Sequence, residues 1–200
     1  TWNTFIGNYS NITGLYGYNN SFLGAQSGRY VSGDNNVILG AFANSGIANT
    51  NTSTQNENVI IGASSYGYDY FTNYNETVGN LNSLRNTIIG YRVLMSATST
   101  ADNVALGWQA GPSLNNGNNN IFIGKQAGTN IIHGSNNIVI GNNIGLNDTS
   151  NSLSVGNLIY GTGLTNFSST STALSSGNIG IGTTSPYSKL SVVGNIVASS

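Results

Sequence analysis

Asn118–Gly145 reads NNNIFIGKQAGTNIIHGSNNIVIGNNIG, and one phrase occurs in it twice. Asn120, Ile121, Ile123, Gly124 and Gly128 return as Asn137, Ile138, Ile140, Gly141 and Gly145, each 17 positions on (141 − 124). At the same step backwards, Asn103, Leu106, Gly107, Ala110 and Gly111 anticipate Asn120, Ile123, Gly124, Ala127 and Gly128. Self-similarity at a fixed period marks a stacked architecture, in which each unit buries its apolar residues only against its neighbours.

Working outward, every repeat can be anchored on a glycine that follows an aliphatic residue: Gly7, Gly24, Gly40, Gly62, Gly90, Gly107, Gly124, Gly141, Gly156 and Gly182. Four positions before the anchor stands Asn in all repeats but one, where Ser152 replaces it. Three before it the residue is mostly β-branched, as in Val37, Val59, Val104, Ile121 and Ile138, which suits a strand. Asn and Gly supply the left-handed conformations that turn a chain at corners. Asn side chains stacked at equivalent positions can also form amide ladders along the axis. The pattern predicts an all-β fold, a parallel β-roll or β-solenoid of about ten Asn-x-Φ-Φ-Gly rungs.

Strand residues one and three before the anchor share a face, and we assign them to the inside of the coil. The residue two before it then points outward, and that column is also largely apolar: Phe5, Phe22, Ile38, Ile60, Ile88, Phe122 and Val139. An apolar outer column calls for a cover, most simply neighbouring copies in a parallel homotrimer, so these seven residues are the expected oligomer interface. At ~1.5–3 kcal/mol for each buried Phe or Ile, such subunits would be hard to separate.

Longer anchor spacings mark insertions. The segment between Gly62 and Gly90 crowds Tyr66, Tyr68, Tyr70, Phe71 and Tyr74 among Gly, Asn and Thr, and residues 63–85 form the most conspicuous insertion. Tyr pairs a flat apolar ring with a hydroxyl tip, so these five are the candidates for contact with a surface glycan or host protein. Residues 1–176 thus read as the decorated repeat region and 177–200 as a C-terminal segment that continues it.

The chain has 200 residues, a formal net charge of −1 and only 6% charged residues. That leaves no electrostatic footprint for nucleic acid. With 38% hydrophobic residues at fixed places, a packed structure is favoured over disorder. No run approaches the ~18 apolar residues of a membrane helix, so membrane insertion is not expected here. Cysteine is absent, which excludes disulfides and thiolate metal sites. Thr1 stands without an initiator Met and reads as the start of a processed or excised piece.

Nothing in the sequence assembles chemistry. The one histidine, His133, lies in a turn-like NIIHGSNN, and no second His completes a metal site. Asp34, Glu57 and Asp102 precede repeat strands, where solvated turn positions are expected, while Asp69 and Glu76 share the aromatic insertion as a conceivable glycosidase pair. Ser188, Lys189 and Ser191 lack an orienting partner for a nucleophile. We expect a non-enzyme without cofactor or metal.

The Asn-x-Φ-Ile-Gly-x-x-Ala-Gly repeats, as in NNIFIGKQAG and DNVALGWQAG, resemble those of bacterial trimeric surface proteins and phage tail fibres. They are similar to the β-roll heads of trimeric autotransporter adhesins, and GNIGIGTTSPYSKLSVVGNIVASS resembles the tail segment of such fibres. The resemblance implies an elongated, homotrimeric, extracellular fibre on a bacterial cell surface or virion, with a structural and adhesive role. A heptad stalk, membrane-anchor barrel and chaperone domain of such proteins are not found in this sequence. Alternatives are a receptor-binding segment of a phage tail fibre, and an ice-binding or glycan-cleaving solenoid.

Overall fold

The structure is a computed structural model, and it describes residues 2–10, 17–28, 31–44, 55–63, 83–163 and 177–196. Its elements are β1 (Thr4–Ile6), β2 (Ser21–Leu23), β3 (Val37–Leu39), β4 (Gln55–Asn56), β5 (Val59–Ile61), β6 (Ser83–Leu84) and β7 (Thr87–Ile89). They continue with β8 (Val104–Leu106), β9 (Ile121–Ile123), β10 (Ile138–Ile140), β11 (Leu153–Val155), β12 (Ile159–Gly161), β13 (Ile179–Ile181) and β14 (Leu190–Val192). All but β4 and β6 join one 12-stranded sheet in sequence order, and those two form a small parallel pair of their own. From β1 to β11 each strand pairs with the next in parallel, with equivalent repeat positions opposite one another, as in Ile121↔Ile138 and Phe122↔Val139. The sequence-derived expectation of an all-β, solenoid-like stack of parallel strands holds.

Which side faces in is the reverse of that expectation. Ile38, Ile60, Ile88, Ala105, Phe122 and Val139 are at 0% exposure within the single chain and Phe22 at 1%, so the column two before the anchor is the core. Across from it pack the column three after the anchor, with Ala43, Val93, Ala110, Ala127 and Ile144, and the column seven after it, with Val31, Ala97, Leu114 and Ile131. Size is matched across the gap. Phe122 has room because Gly111 and Gly128 face it, a Cβ at Gly128 lying 2.6 Å from its ring, whereas Leu94 occupies the position equivalent to Gly111 in the rung where the strand contributes Ile88.

The assignment of Phe22, Ile38, Ile60, Ile88, Phe122 and Val139 to an oligomer interface is therefore corrected: the chain covers them itself. Phe5 belongs to the same column but lies in the first rung, where nothing precedes it in the sheet. It stays 41% exposed and rests one face on Phe22, ring centroids 5.0 Å apart.

The asparagines four before the anchor share the strand parity of that core column, and from Asn20 to Asn137 they are buried too. Asn120 donates from its backbone N–H and from Nδ2 to Asn103 Oδ1, at 2.9 and 3.1 Å, and from Nδ2 to Gly134 O at 2.9 Å. Its own Oδ1 accepts the N–H and Nδ2 of Asn137 at 3.0 and 3.1 Å. The same arrangement repeats through Asn20, Asn36, Asn58, Asn86 and Asn103. The amide ladder exists, and it runs through the interior.

The turning is done one residue earlier. Asn19, Asn35, Asn119, Asn136 and Asn151 have φ between 57° and 60°, and Glu57, Arg85 and Asp102 hold the same left-handed position in their rungs. Asn tolerates that conformation; a longer side chain in it costs on the order of 1 kcal/mol. Arg85 and Asp102 recover part of this through a paired contact at 2.6 and 2.9 Å, which lowers the Asp102 pKa through the hydrogen bond from Arg85. Glu57, on the rung below, meets Arg85 through a coulombic interaction. Glu57→Asn is expected to raise stability by about 0.5 kcal/mol, read as an upward shift of the thermal midpoint.

A second difference lies past β11. Ahead of the next anchored rung, that of Gly182, comes a reversal in which Gly156 and Asn157 both have positive φ and Leu158 N–H donates to Val155 O at 3.0 Å. Gly-Asn provides the two left-handed residues that a tight hairpin favours. β12 consequently runs antiparallel to both β11 and β13, and β14 then pairs in parallel with β13.

Candidate assembly interface

With the middle residue of each strand turned inward, the flanking two face out. One outer column is Thr4, Ser21, Val37, Val59, Thr87, Val104, Ile121 and Ile138; the other is Ile6, Leu23, Leu39, Ile61, Ile89, Leu106, Ile123 and Ile140. All of these are partly or largely exposed. Leu23 is at 49%, Leu106 at 42%, Val37 and Val104 at 37%. A lone exposed aliphatic is ordinary on a protein surface, but two parallel rows of them along a regular sheet make a continuous apolar strip.

Parallel pairing in register puts equivalent repeat positions on the same line, so the strip follows the rungs, interrupted by Thr4, Ser21 and Thr87 in one row. Past the anchor glycines the strip meets a more polar corner. There Tyr91, Trp108, Lys125 and Asn142 occupy successive rungs, and Lys125 Nζ lies 5.1 Å from the Trp108 ring centroid. Behind it Gln126 Nε2 donates to Gln109 Oε1 at 3.2 Å.

The opposite corner is held by side chains that cap backbone N–H groups of the rung below. Asp34 Oδ1 accepts from Tyr18 N, Asn118 Oδ1 from Ala101 N and Ser135 Oγ from Asn118 N. Asp148 is the strongest case: Oδ1 accepts the N–H groups of Ile132, His133 and Gly134 at 2.9, 2.8 and 3.1 Å, and Oδ2 lies 3.1 Å from His133 Nδ1. The backbone N–H of His133, then those of Ile132 and Gly134 and the imidazole, hold the carboxyl at about 2 against partial desolvation. A depressed carboxyl contributes stability that is complete above its unfolded value of about 4 and is lost as pH falls through about 2. The urea midpoint of the wild type is thus expected to exceed that of Asp148→Asn at neutral pH, with the difference shrinking between about pH 4 and pH 2.

His133 is an exposed turn residue engaged with Asp148. Ser188 Oγ donates to Leu190 O at 2.8 Å and Lys189 Nζ to Gly177 O at 3.3 Å, so that cluster serves the local turn. Among the described residues no group of three or more His, Asp or Glu is placed to hold a metal ion, and no helix is long and apolar enough to cross a membrane. The ligand-contact candidates Tyr66, Tyr68, Tyr70, Phe71 and Tyr74, with Asp69 and Glu76, lie outside the described residues. No family model, no curated protein and no solved structure matches this chain.

Proposed function

We propose that this chain is a structural, self-associating subunit of an extracellular fibre, and that copies join side by side in parallel through the two outer aliphatic columns. The observation that carries the reading is the exposed strip itself, whose rows run through Leu23, Leu106 and Ile140 on one side and Val37, Val59 and Val104 on the other. Any partner that covers it along its length must present apolar residues at the same rung spacing of about 4.8 Å. A second copy of this chain does so by construction. Its near-neutral charge of −1 offers no repulsion between copies. A trimer is the closed assembly that the resemblance to trimeric surface fibres implies, and the aromatic insertion supplies the candidate residues for attachment to a glycan or a protein.

The test is Leu106→Asp combined with Ile140→Asp. Both positions are solvated in the single chain, so the fold is retained. Charges buried in an interface cost about 3 kcal/mol each, more than a hundredfold in dissociation constant. The double variant is expected to sediment as single chains with an unchanged β-type circular dichroism spectrum. An unchanged assembly would remove the outer columns from the interface.

A further inference from the structure

We infer that Asn116 is a site of spontaneous self-modification, deamidating to aspartate and isoaspartate in the folded chain. Asn116–Gly117 is the one Asn-Gly pair in a sequence crowded with asparagine. The reaction needs an accessible side-chain amide, an unengaged N–H on the next residue, and no Cβ in the way; Asn116 meets all three. Its side chain is exposed, and among the described residues that side chain makes no hydrogen bond and Gly117 N–H finds no acceptor. The rung above shows what protection looks like. There His133 and Gly134 occupy the equivalent positions, and Asp148 engages both their N–H groups.

The Gly117 backbone nitrogen attacks Asn116 Cγ and gives up its proton, the Cγ–Nδ2 bond breaks, and ammonia leaves with that proton. A five-membered succinimide remains. Water then opens it at either carbonyl, giving aspartate or, with the main chain rerouted through the side chain, isoaspartate. Each event exchanges a neutral amide for a carboxylate. The isoaspartyl product also lengthens the backbone by one methylene next to Gly117, whose carbonyl receives Asn103 Nδ2 at 3.0 Å. The ladder asparagines are protected from the same chemistry because they are buried with their amides engaged, so they react only when the rung opens.

Purified native chain is held at body temperature in neutral and in mildly alkaline buffer, and peptides are mapped over time by mass, with enzymatic labelling of isoaspartate. The peptide bearing Asn116 is expected to convert at least about tenfold faster than those bearing Asn103 or Asn120, and faster at the higher pH, since attack requires loss of the amide proton. Asn116→Gln should remove this early conversion. Gly117→Ala is no substitute, because its Cβ would collide with Gly134 O. Conversion at Asn116 no faster than at the buried asparagines, or an early phase that survives in Asn116→Gln, would overturn the assignment.

Discussion

Gly107→Ala is expected to destabilise the chain by about 3–6 kcal/mol, measured as a fall in the urea midpoint at constant slope. Gly107 has φ +134°, a region essentially closed to residues with a side chain, and an added Cβ would lie 2.6 Å from Gly124 O and 2.7 Å from Gly124 C. These atoms are backbone of the next rung, which in turn donates from Gly124 N to Leu106 O at 2.8 Å, so the neighbour cannot yield without breaking the stack. Strain of ~1–3 kcal/mol and overpacking of similar size therefore add. Gly156→Ala is the internal control: φ is +61° and nothing lies within 4 Å of its Cβ, so about 1 kcal/mol is expected. Equal losses at the two sites would mean that close stacking of anchor glycines does not dictate the residue.

Asn120→Ala is expected to cost a comparable 3–6 kcal/mol, by a different route. The substitution leaves the N–H and Nδ2 of Asn137 without their acceptor and withdraws a donor from Asn103 Oδ1 and from Gly134 O, all inside the chain. Each buried group stripped of its partner costs ~1–3 kcal/mol. Asn136→Gly, one residue away at the left-handed corner, keeps the backbone conformation and loses only the Nδ2 bond to Asn151 Oδ1 at 3.0 Å, so about 1 kcal/mol is expected. The chain itself displays the ladder's end. Ser152 N–H still donates to Asn137 Oδ1 at 3.0 Å, but its hydroxyl turns to Ser150 O at 3.3 Å and passes nothing on. The next pairing, of β11 with β12, is antiparallel.

The repeat, the strands that precede the anchor glycines and the parallel register from β1 to β11 were legible because anchor glycines and flanking aliphatics recur at a fixed step. Facing was misread because all three strand residues are apolar, and alternation cannot orient a strand that is apolar on both sides. The deciding signal was present in the asparagines. A solvated corner accepts substitutes, as the position five before the anchor does with Glu57, Arg85 and Asp102, whereas four before the anchor Asn recurs almost without exception, as expected of an amide with buried partners. By period-two parity that column places the residue two before the anchor inside as well.

Ala105, Ser154 and the glycines opposite Phe122 gave a second hint, since only an interior needs such compensation of size. The antiparallel β12 was missed because Val155-Gly156 matches the rung signature while Gly156-Asn157 also matches a hairpin turn, and local sequence does not rank the two. In the sequence alone the outer columns read as interior residues. Their exposure follows only once the inner face is fixed.

The native mass of the wild-type chain in solution, followed by light scattering over a range of concentrations, tests most directly whether the outer strip is an assembly face. A mass of three chains that persists on dilution is the predicted result. A stable monomer, with Leu23, Leu106 and Val104 left in water at every concentration, would contradict it.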